Sequence, residues 1–288
     1  MIENFISSWA LFHNTYLAGW LIGLLLSLVG VLVVARDQIF IGAAVSQAST
    51  LGIALAMWIG AWAGADLRPW FHSEGFLSIM AVAFSVIAAL ITARGGEGTR
   101  ESHEAITGWV FLVSASLSIL IVSRSPHGLE EIHRLLSSSI IGATRADVWT
   151  FGLLAAVAAL SLCAGLRRIL LFAMDPVMAE AVGMSIVRWG ALTSAWLGLA
   201  VGLSIRSSGM LYTFGCLVLP ALVAKNVCRE VRPMFIVSPL VALGTGAAGF
   251  VLANHYDYPP AQMTVALLSL LLTIAWLLRR LRHDFGTM

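Results

Sequence analysis

Nine stretches of sixteen to twenty residues contain no Asp, Glu, Lys, Arg or His: 16–35, 46–65, 76–93, 105–123, 148–166, 189–205, 209–224, 234–253 and 261–278. About 20 apolar residues in a helix cross the hydrocarbon core of a bilayer. Within that core each backbone N–H and C=O must be paired inside the segment, which makes such runs helical. The pattern predicts an all-α polytopic membrane protein with about nine transmembrane helices. The seventh run is short and is parted from the sixth only by Arg206-Ser207-Ser208. It can be broken or partly re-entrant, so the count runs from eight to ten. Hydrophobic residues make up 59% of the 288 and charged residues 11%, about half the charged share of a soluble domain. Mean hydropathy is +0.90. One soluble core of this size cannot hide that much apolar surface, and so few charges exclude a disordered chain. The net charge, 17 − 15 = +2, rests on one lysine and sixteen dispersed arginines. That gives no basic tract for nucleic acid.

The basic residues set the expected orientation, because cytoplasmic loops carry the excess of Lys and Arg. One set of loops holds Arg36, Arg94, Arg100, Arg167, Arg168, Arg188, Lys225, Arg229, Arg232, Arg279, Arg280 and Arg282. The other holds Arg68, Arg124, Arg134, Arg145 and Arg206. Twelve against five places the first set in the cytoplasm, the N-terminus outside and the C-terminus inside. Residues 1–15, with Trp9, Phe12 and His13, read as a short amphipathic segment at the outer surface. The start Met1-Ile2-Glu3-Asn4 lacks the basic residues of a cleavable signal peptide.

Ion-coupled carriers keep an ionisable residue at membrane depth as their coupling site. The uncharged runs count against that class and against a membrane-embedded hydrolase. No GxxxxGK[ST] is present, and no HExxH or GxSxG, so P-loop nucleotide binding is excluded and no catalytic residue is assigned. Cys163, Cys216 and Cys228 have no CxxC spacing and read as small apolar residues. Small-xxx-small pairs at Gly19/Gly23, Gly60/Gly64, Gly198/Gly202 and Gly244/Ala248 suit close helix packing or the walls of a pathway.

Three segments carry more information. In Asp175-Pro176-Val177-Met178-Ala179-Glu180-Ala181-Val182-Gly183, Asp175 suits an N-cap and Pro176 the first helical position. Gly183 suits the left-handed position past the end. This predicts a two-turn helix between spans, either a plain connector or a docking helix for a soluble partner. Gly42-Ala43-Ala44-Val45-Ser46-Gln47-Ala48-Ser49-Thr50 brings a polar stripe into the second span. Gln47 and Gln262 are the amides within the spans; a buried amide needs partners, so Gln47 either bonds to a neighbouring helix or lines a path. In Gly209 to Ala221, Pro220 should kink the seventh span.

These segments, with Glu104-Ala105-Ile106-Thr107-Gly108 and Asp257-Tyr258-Pro259-Pro260, come in an order that resembles the permeases of the zinc, manganese and iron class of ABC importers. The resemblance runs over nearly the whole chain. It implies that residues 1–288 form one transmembrane permease domain in the plasma (inner) membrane, moving a divalent metal ion. A cytoplasmic ATPase dimer would hydrolyse ATP, an extracytoplasmic solute-binding protein would deliver the ion, and a second permease copy or paralogue would complete the path. Residues 174–185 would be the coupling helix seated on the ATPase, through Asp175, Pro176, Glu180 and Gly183. Ala43, Ser46, Gln47 and Thr50 would line the pathway.

Family members usually read Gly-Asp-Ala-Leu-Ser-His-Ala where this chain has Gly42 to Ala48. A carboxylate and an imidazole at i and i+4 share a helix face and ligate zinc or manganese. Here Ala43 and Gln47 stand in their places. Leu136-Ser137-Ser138 also departs from the usual Leu-Phe-Gly. The chain therefore reads as a metal permease, with a permease-derived scaffold lacking its own metal site, or a permease for another substrate, as the alternatives. Other candidate ligands are His127, Glu130, Glu131 and His133, in one outward loop at i/i+3 and i/i+4 spacings. His72/Glu74 and His255/Asp257 are weaker pairs, while His103 and Glu104 shape an inner loop.

Overall fold

The computed structural model describes residues 2–62, 70, 73–94, 102–123 and 140–286. Among them there is no strand. The helices are α1 (Ile2–Ala35), α2 (Phe40–Trp62), α3 (Glu74–Ala93), α4 (His103–Val122), α5 (Arg145–Met174), α6 (Pro176–Ala181), α7 (Ile186–Val227), α8 (Val231–Tyr256) and α9 (Pro260–Gly286). A short 3-10 turn, Ile140–Gly142, precedes α5. Eight of these helices are long and apolar enough to cross a membrane. The protein is a multi-pass membrane protein.

The helix starts follow from local chemistry. Ser73 caps α3 by accepting from the Phe76 N–H at 3.3 Å, and Ser102 caps α4 by accepting from Ala105 at 3.1 Å. Thr144 and Asp147 form a reciprocal capping box at the start of α5. Each such cap satisfies a backbone donor that the helix itself leaves unpaired, worth about 1 kcal/mol.

α7 has 42 residues, about 63 Å at 1.5 Å per residue, twice the thickness of the hydrocarbon core. Its backbone is broken at Gly209, where φ is 78° and ψ is 168°. Only glycine holds that conformation without strain. Residues 186–208 make a helix of about 35 Å and residues 210–227 one of about 27 Å. The first reaches across the core and the second falls just short of it, which reconciles eight apolar helices with nine apolar runs.

Three expectations change. The non-helical backbone falls at Gly209, not at Pro220, which lies within helix. Pro220 removes one hydrogen bond, whereas a positive φ at Gly209 re-aims the whole chain. Residues 206–208 are helical rather than a linker. Residues 2–15 are continuous with the first span. That 34-residue helix is about 51 Å long, so its first turns extend beyond a core of about 30 Å.

The chain divides into two compact units. The first holds α1, the 3-10 turn, α5, the second half of α7, α8 and α9. α1 is its centre and packs on α5 and α8. Tyr212 Oη donates to the Gly19 carbonyl at 2.9 Å, and Ser238 Oγ donates to the Ser27 carbonyl at 3.1 Å. Gly30 lies against the backbone carbonyl of Leu217 with no room for a Cβ. Small residues are what bring backbones this close in lipid, where water does not drive association. The Arg36 guanidinium sits over the Phe172 ring, 4.6 Å from its centroid.

The second unit holds α2, α3, α4, α6 and the first half of α7. α2 packs on α3 and α4, and Gly52 seats against the Met80 carbonyl. Gly198 and Gly202 lie against the α3 backbone at Val86 and Val82, and Ser85 Oγ donates to the Gly198 carbonyl at 2.7 Å. The Gly198/Gly202 pair therefore packs helices. Among the described residues Gly244 has nothing within 4 Å of a built Cβ.

Candidate functional site

α2 starts at Phe40, six residues before the apolar run assigned to it. Gln47 thus lies about 10 Å along the helix rather than at its mouth. Ala43 and Gln47, four apart, share a face. Ala43 is buried and offers no ligand atom. Ser46, Ser49 and Thr50 are buried too. Thr50 Oγ1 donates to the Ser46 carbonyl at 3.2 Å. The hydroxyls of Ser46 and Ser49 have no hydrogen-bond partner among the described residues. Gln47 is half-buried, and its amide N–H donates to Met210 Sδ at 3.3 Å. This is a neutral constellation of hydroxyls, one amide and one thioether.

Met210 was not legible as a site residue. It lies 163 residues from Gln47 in sequence, and no periodicity reports such a contact. The available signal was Gly209: a glycine between a helical run and another helical run marks a possible change of direction, and the residue after it is re-aimed.

The segment before α7 takes a definite form. α5 ends at Met174 and Asp175 caps that end, with its N–H donating to the Leu171 carbonyl at 3.0 Å. Pro176 opens α6. α6 runs only to Ala181, shorter than the two turns expected. The Gly183 N–H donates to Glu180 O at 2.9 Å and the Met184 N–H to Ala179 O at 3.0 Å. Those two bonds, with φ +85° at Gly183, are the Schellman ending that the glycine predicted. Ala179 is buried, while Val177, Met178, Glu180 and Val182 are exposed.

Charged residues gather at helix ends. Arg206 in α7 pairs with Glu74 at 2.8 Å and donates to Ser78 Oγ at the start of α3. Lys225 pairs with Asp37 at 2.8 Å. Arg279 donates to Asn226 Oδ1 at 3.2 Å. Among the described residues the candidate ligands do not converge: His103 lies beside Thr107 Oγ1 at 3.3 Å, His255 packs on Tyr256, and Asp257 caps α8 in a left-handed conformation. Among the described residues no three His, Cys, Asp or Glu side chains form a metal-binding group. His72, His127, Glu130, Glu131, His133 and Leu136 to Ser138 lie outside the described residues.

Eight apolar helices of membrane length define a polytopic membrane protein. Residues 8–279 match the ABC 3 transport family, and the chain belongs to that family. It is similar to the manganese transport system membrane protein MntC of Halalkalibacterium halodurans, 22% identical over 269 residues, covering 93% of this chain and 87% of that protein. It is also similar to the manganese import system permease protein ScaB of Streptococcus gordonii, 26% identical over 262 residues, 90% of this chain and 88% of that protein. The structure of PsaBC from Streptococcus pneumoniae in complex with Fab shares the fold, with a TM-score of 0.78 and 18% identity over 96% of this chain and 95% of that one.

Proposed function

We propose that this chain is the transmembrane permease subunit of an ATP-binding-cassette importer that moves a divalent metal ion. The observation that carries the reading is the family match over residues 8–279 on a chain with eight membrane-length apolar helices. Manganese is the favoured metal, because two similar proteins carry that ion in their names; zinc and iron come next. Residues 1–288 act as one permease domain in the plasma (inner) membrane, N-terminus outside and C-terminus in the cytoplasm. The basic-residue count supports that orientation.

In this mechanism the metal is substrate. ATP is hydrolysed on a separate cytoplasmic ATPase dimer, a solute-binding protein delivers the ion outside, and a second permease copy or a paralogue completes the path. Residues 174–185, centred on α6, couple the subunit to its ATPase. The exposed Val177, Met178 and Val182 beside Glu180 give that helix an apolar face with one charge, the composition of a docking surface outside the bilayer. Ala43, Ser46, Gln47 and Thr50 line the path. Conduction needs an ion to leave as well as to enter, so neutral ligands with weak hold suit transit while ATP supplies direction.

The second reading is a permease-derived scaffold without a metal site of its own, favoured by Ala43 and Gln47 in place of charged ligands. The two separate in one experiment. The complex is purified through a tag on this chain and placed in liposomes, and ATP turnover is followed with and without manganese and the binding protein. Stimulated turnover supports the permease. An ATPase that co-purifies but does not respond to metal supports the scaffold, and absence of any ATPase overturns both.

A further inference from the structure

α9 runs 27 residues from Pro260 to Gly286, about 40 Å at 1.5 Å per residue. The hydrocarbon core is about 30 Å thick, which about twenty residues span. Arg279 and Arg280 therefore stand where the helix leaves the core and enters the headgroup layer. Trp276, Leu277, Leu278 and Leu281, on either side of them, are each more than half exposed. The open apolar surface thus continues past the first charges. Trp276 and Leu277 lie four and three residues before Arg280 and share its face. That is the composition of a membrane interface. Tryptophan rings settle at headgroup level there, and arginine stems lie on apolar surface with the charge held outward.

Other cations meet at this end of the first unit. Arg279 donates to Asn226 Oδ1 at 3.2 Å, which sets the end of α7 against the end of α9. The chain then turns through Cys228 and Arg229 into α8, with Arg232 in its first turn. Arg229, Arg232, Arg279 and Arg280 are all exposed. Lys225 is already taken by Asp37. No carboxylate among the described residues pairs with any of the four arginines. Glu230 is the acid in the turn, and Arg282 and Asp284 further along α9 offset each other. Four arginines against one glutamate leave a net charge of +3.

Charge complementarity calls for an anion, and the leucines and Trp276 place that anion at a bilayer surface. A phospholipid with a negative headgroup supplies both parts. Its phosphate oxygens suit the guanidinium fork, which binds phosphate bidentately. Its acyl chains cover the exposed leucines of α9.

We propose that the basic end of the first unit, Arg279 and Arg280 of α9 with Arg229 and Arg232 of the turn into α8, is a binding surface for anionic phospholipids of the surrounding bilayer. Neither the cargo nor the direction of transport enters this proposal.

The test reads which lipid stands beside Trp276. The full-length chain is placed in phosphatidylcholine vesicles in which an equal small fraction of the lipid is bromine-labelled phosphatidylglycerol or bromine-labelled phosphatidylcholine. Bromine quenches a tryptophan it touches, and the Trp276 signal is the difference between each protein and its Trp276→Phe version. In wild type, labelled phosphatidylglycerol should quench Trp276 more than labelled phosphatidylcholine does. Arg280→Gln should lower the relative association constant about fivefold, which converts about 1 kcal/mol per basic residue. Arg279→Gln with Arg280→Gln should lower it further, and Arg280→Lys should keep most of it. Arg145→Gln, at the start of α5, should leave it unchanged. Equal quenching by the two lipids in wild type overturns the proposal. So does an unchanged preference in the double variant, or an equal loss in Arg145→Gln. If the double variant loses a co-purifying ATPase while its lipid preference stays, the surface belongs to the protein partner and the proposal falls. Should the arginine variants not assemble, the wild-type preference is measured against rising salt. It should shrink as the charges are screened, and a preference indifferent to salt overturns the proposal.

Discussion

Lys225 Nζ donates to Asp37 Oδ1 at 2.8 Å and so ties the end of α7 to the turn that follows α1. The lysine is the only one in the chain. Both groups are well exposed, 46% and 79%, so the pair itself contributes at most about 1 kcal/mol. The backbone matters more. Asp37 holds φ at +52°, a left-handed conformation that Asp and Asn tolerate and β-branched residues do not. Asp37→Asn should shift the melting temperature of the purified protein little. Asp37→Val should destabilise it by about 1–2 kcal/mol. Equal melting temperatures for the two variants would show that the turn is not strained.

Cys228 follows α7 and lies outside the spans; partial burial pushes its thiol above the ordinary cysteine value. The thiolate is the reactive form, and a raised pKa leaves less of it at a given pH. Alkylation should therefore be slower at pH 8 than for a model thiol and should keep rising above pH 9. In the proposed orientation Lys225, Arg229 and Arg232 face the cytoplasm, and an impermeant maleimide should then label Cys228 only after cells are opened. The variant used carries Cys163→Ala and Cys216→Ala. Labelling on intact cells would invert the topology.

α6 carries exposed Glu180 among exposed apolar neighbours, the face proposed to meet the ATPase. Glu180→Arg should weaken ATPase association by about 2 kcal/mol if the residue lies at an interface centre, while the stability of the chain alone stays within about 0.5 kcal/mol of wild type, as for a surface change. Co-purification yield and manganese uptake are the readouts. Unchanged association and uptake would remove α6 from coupling.

Much of this molecule was legible in its sequence, and the reason is lipid. Apolar runs without charges have one stable form in a bilayer, so the spans could be read directly. Short-range devices were legible too: Gly183 predicted a left-handed helix ending and the structure has it, with both Schellman bonds. What failed was long-range or competitive. Pro220 is a louder signal than Gly209, yet the break is at Gly209, because a proline removes one bond while a positive φ turns the chain. Gln47 needed a partner, and the sequence could not say that it would be Met210. The run from Ser46 understates α2, because Phe40 to Val45 belong to the same helix.

Ala43 and Gln47 sit one turn apart on α2 with no charge between them. Ala43→Asp together with Gln47→His should create measurable zinc or manganese affinity, since a carboxylate and an imidazole then share one face. Ala43 is 8% exposed, so the new carboxylate costs several kcal/mol without metal. Metal at about 100 times its dissociation constant should return about 2.7 kcal/mol. The double variant should melt below wild type without metal and gain more than wild type on titration. Tight binding by wild type would place the ligands elsewhere, and no gain in the variant would mean that this face does not line the path.

Metal translocation is tested most directly by uptake of radioactive manganese into liposomes that hold the complex purified through a tag on this chain, with the solute-binding protein outside and ATP within reach of the ATPase. The expected result is accumulation that requires ATP, is lost with a hydrolysis-dead ATPase, and declines when the Gln47 face is replaced by leucine. Vesicles whose complex hydrolyses ATP yet take up no more manganese, zinc or iron than vesicles without it would contradict the assignment of this chain as a metal permease.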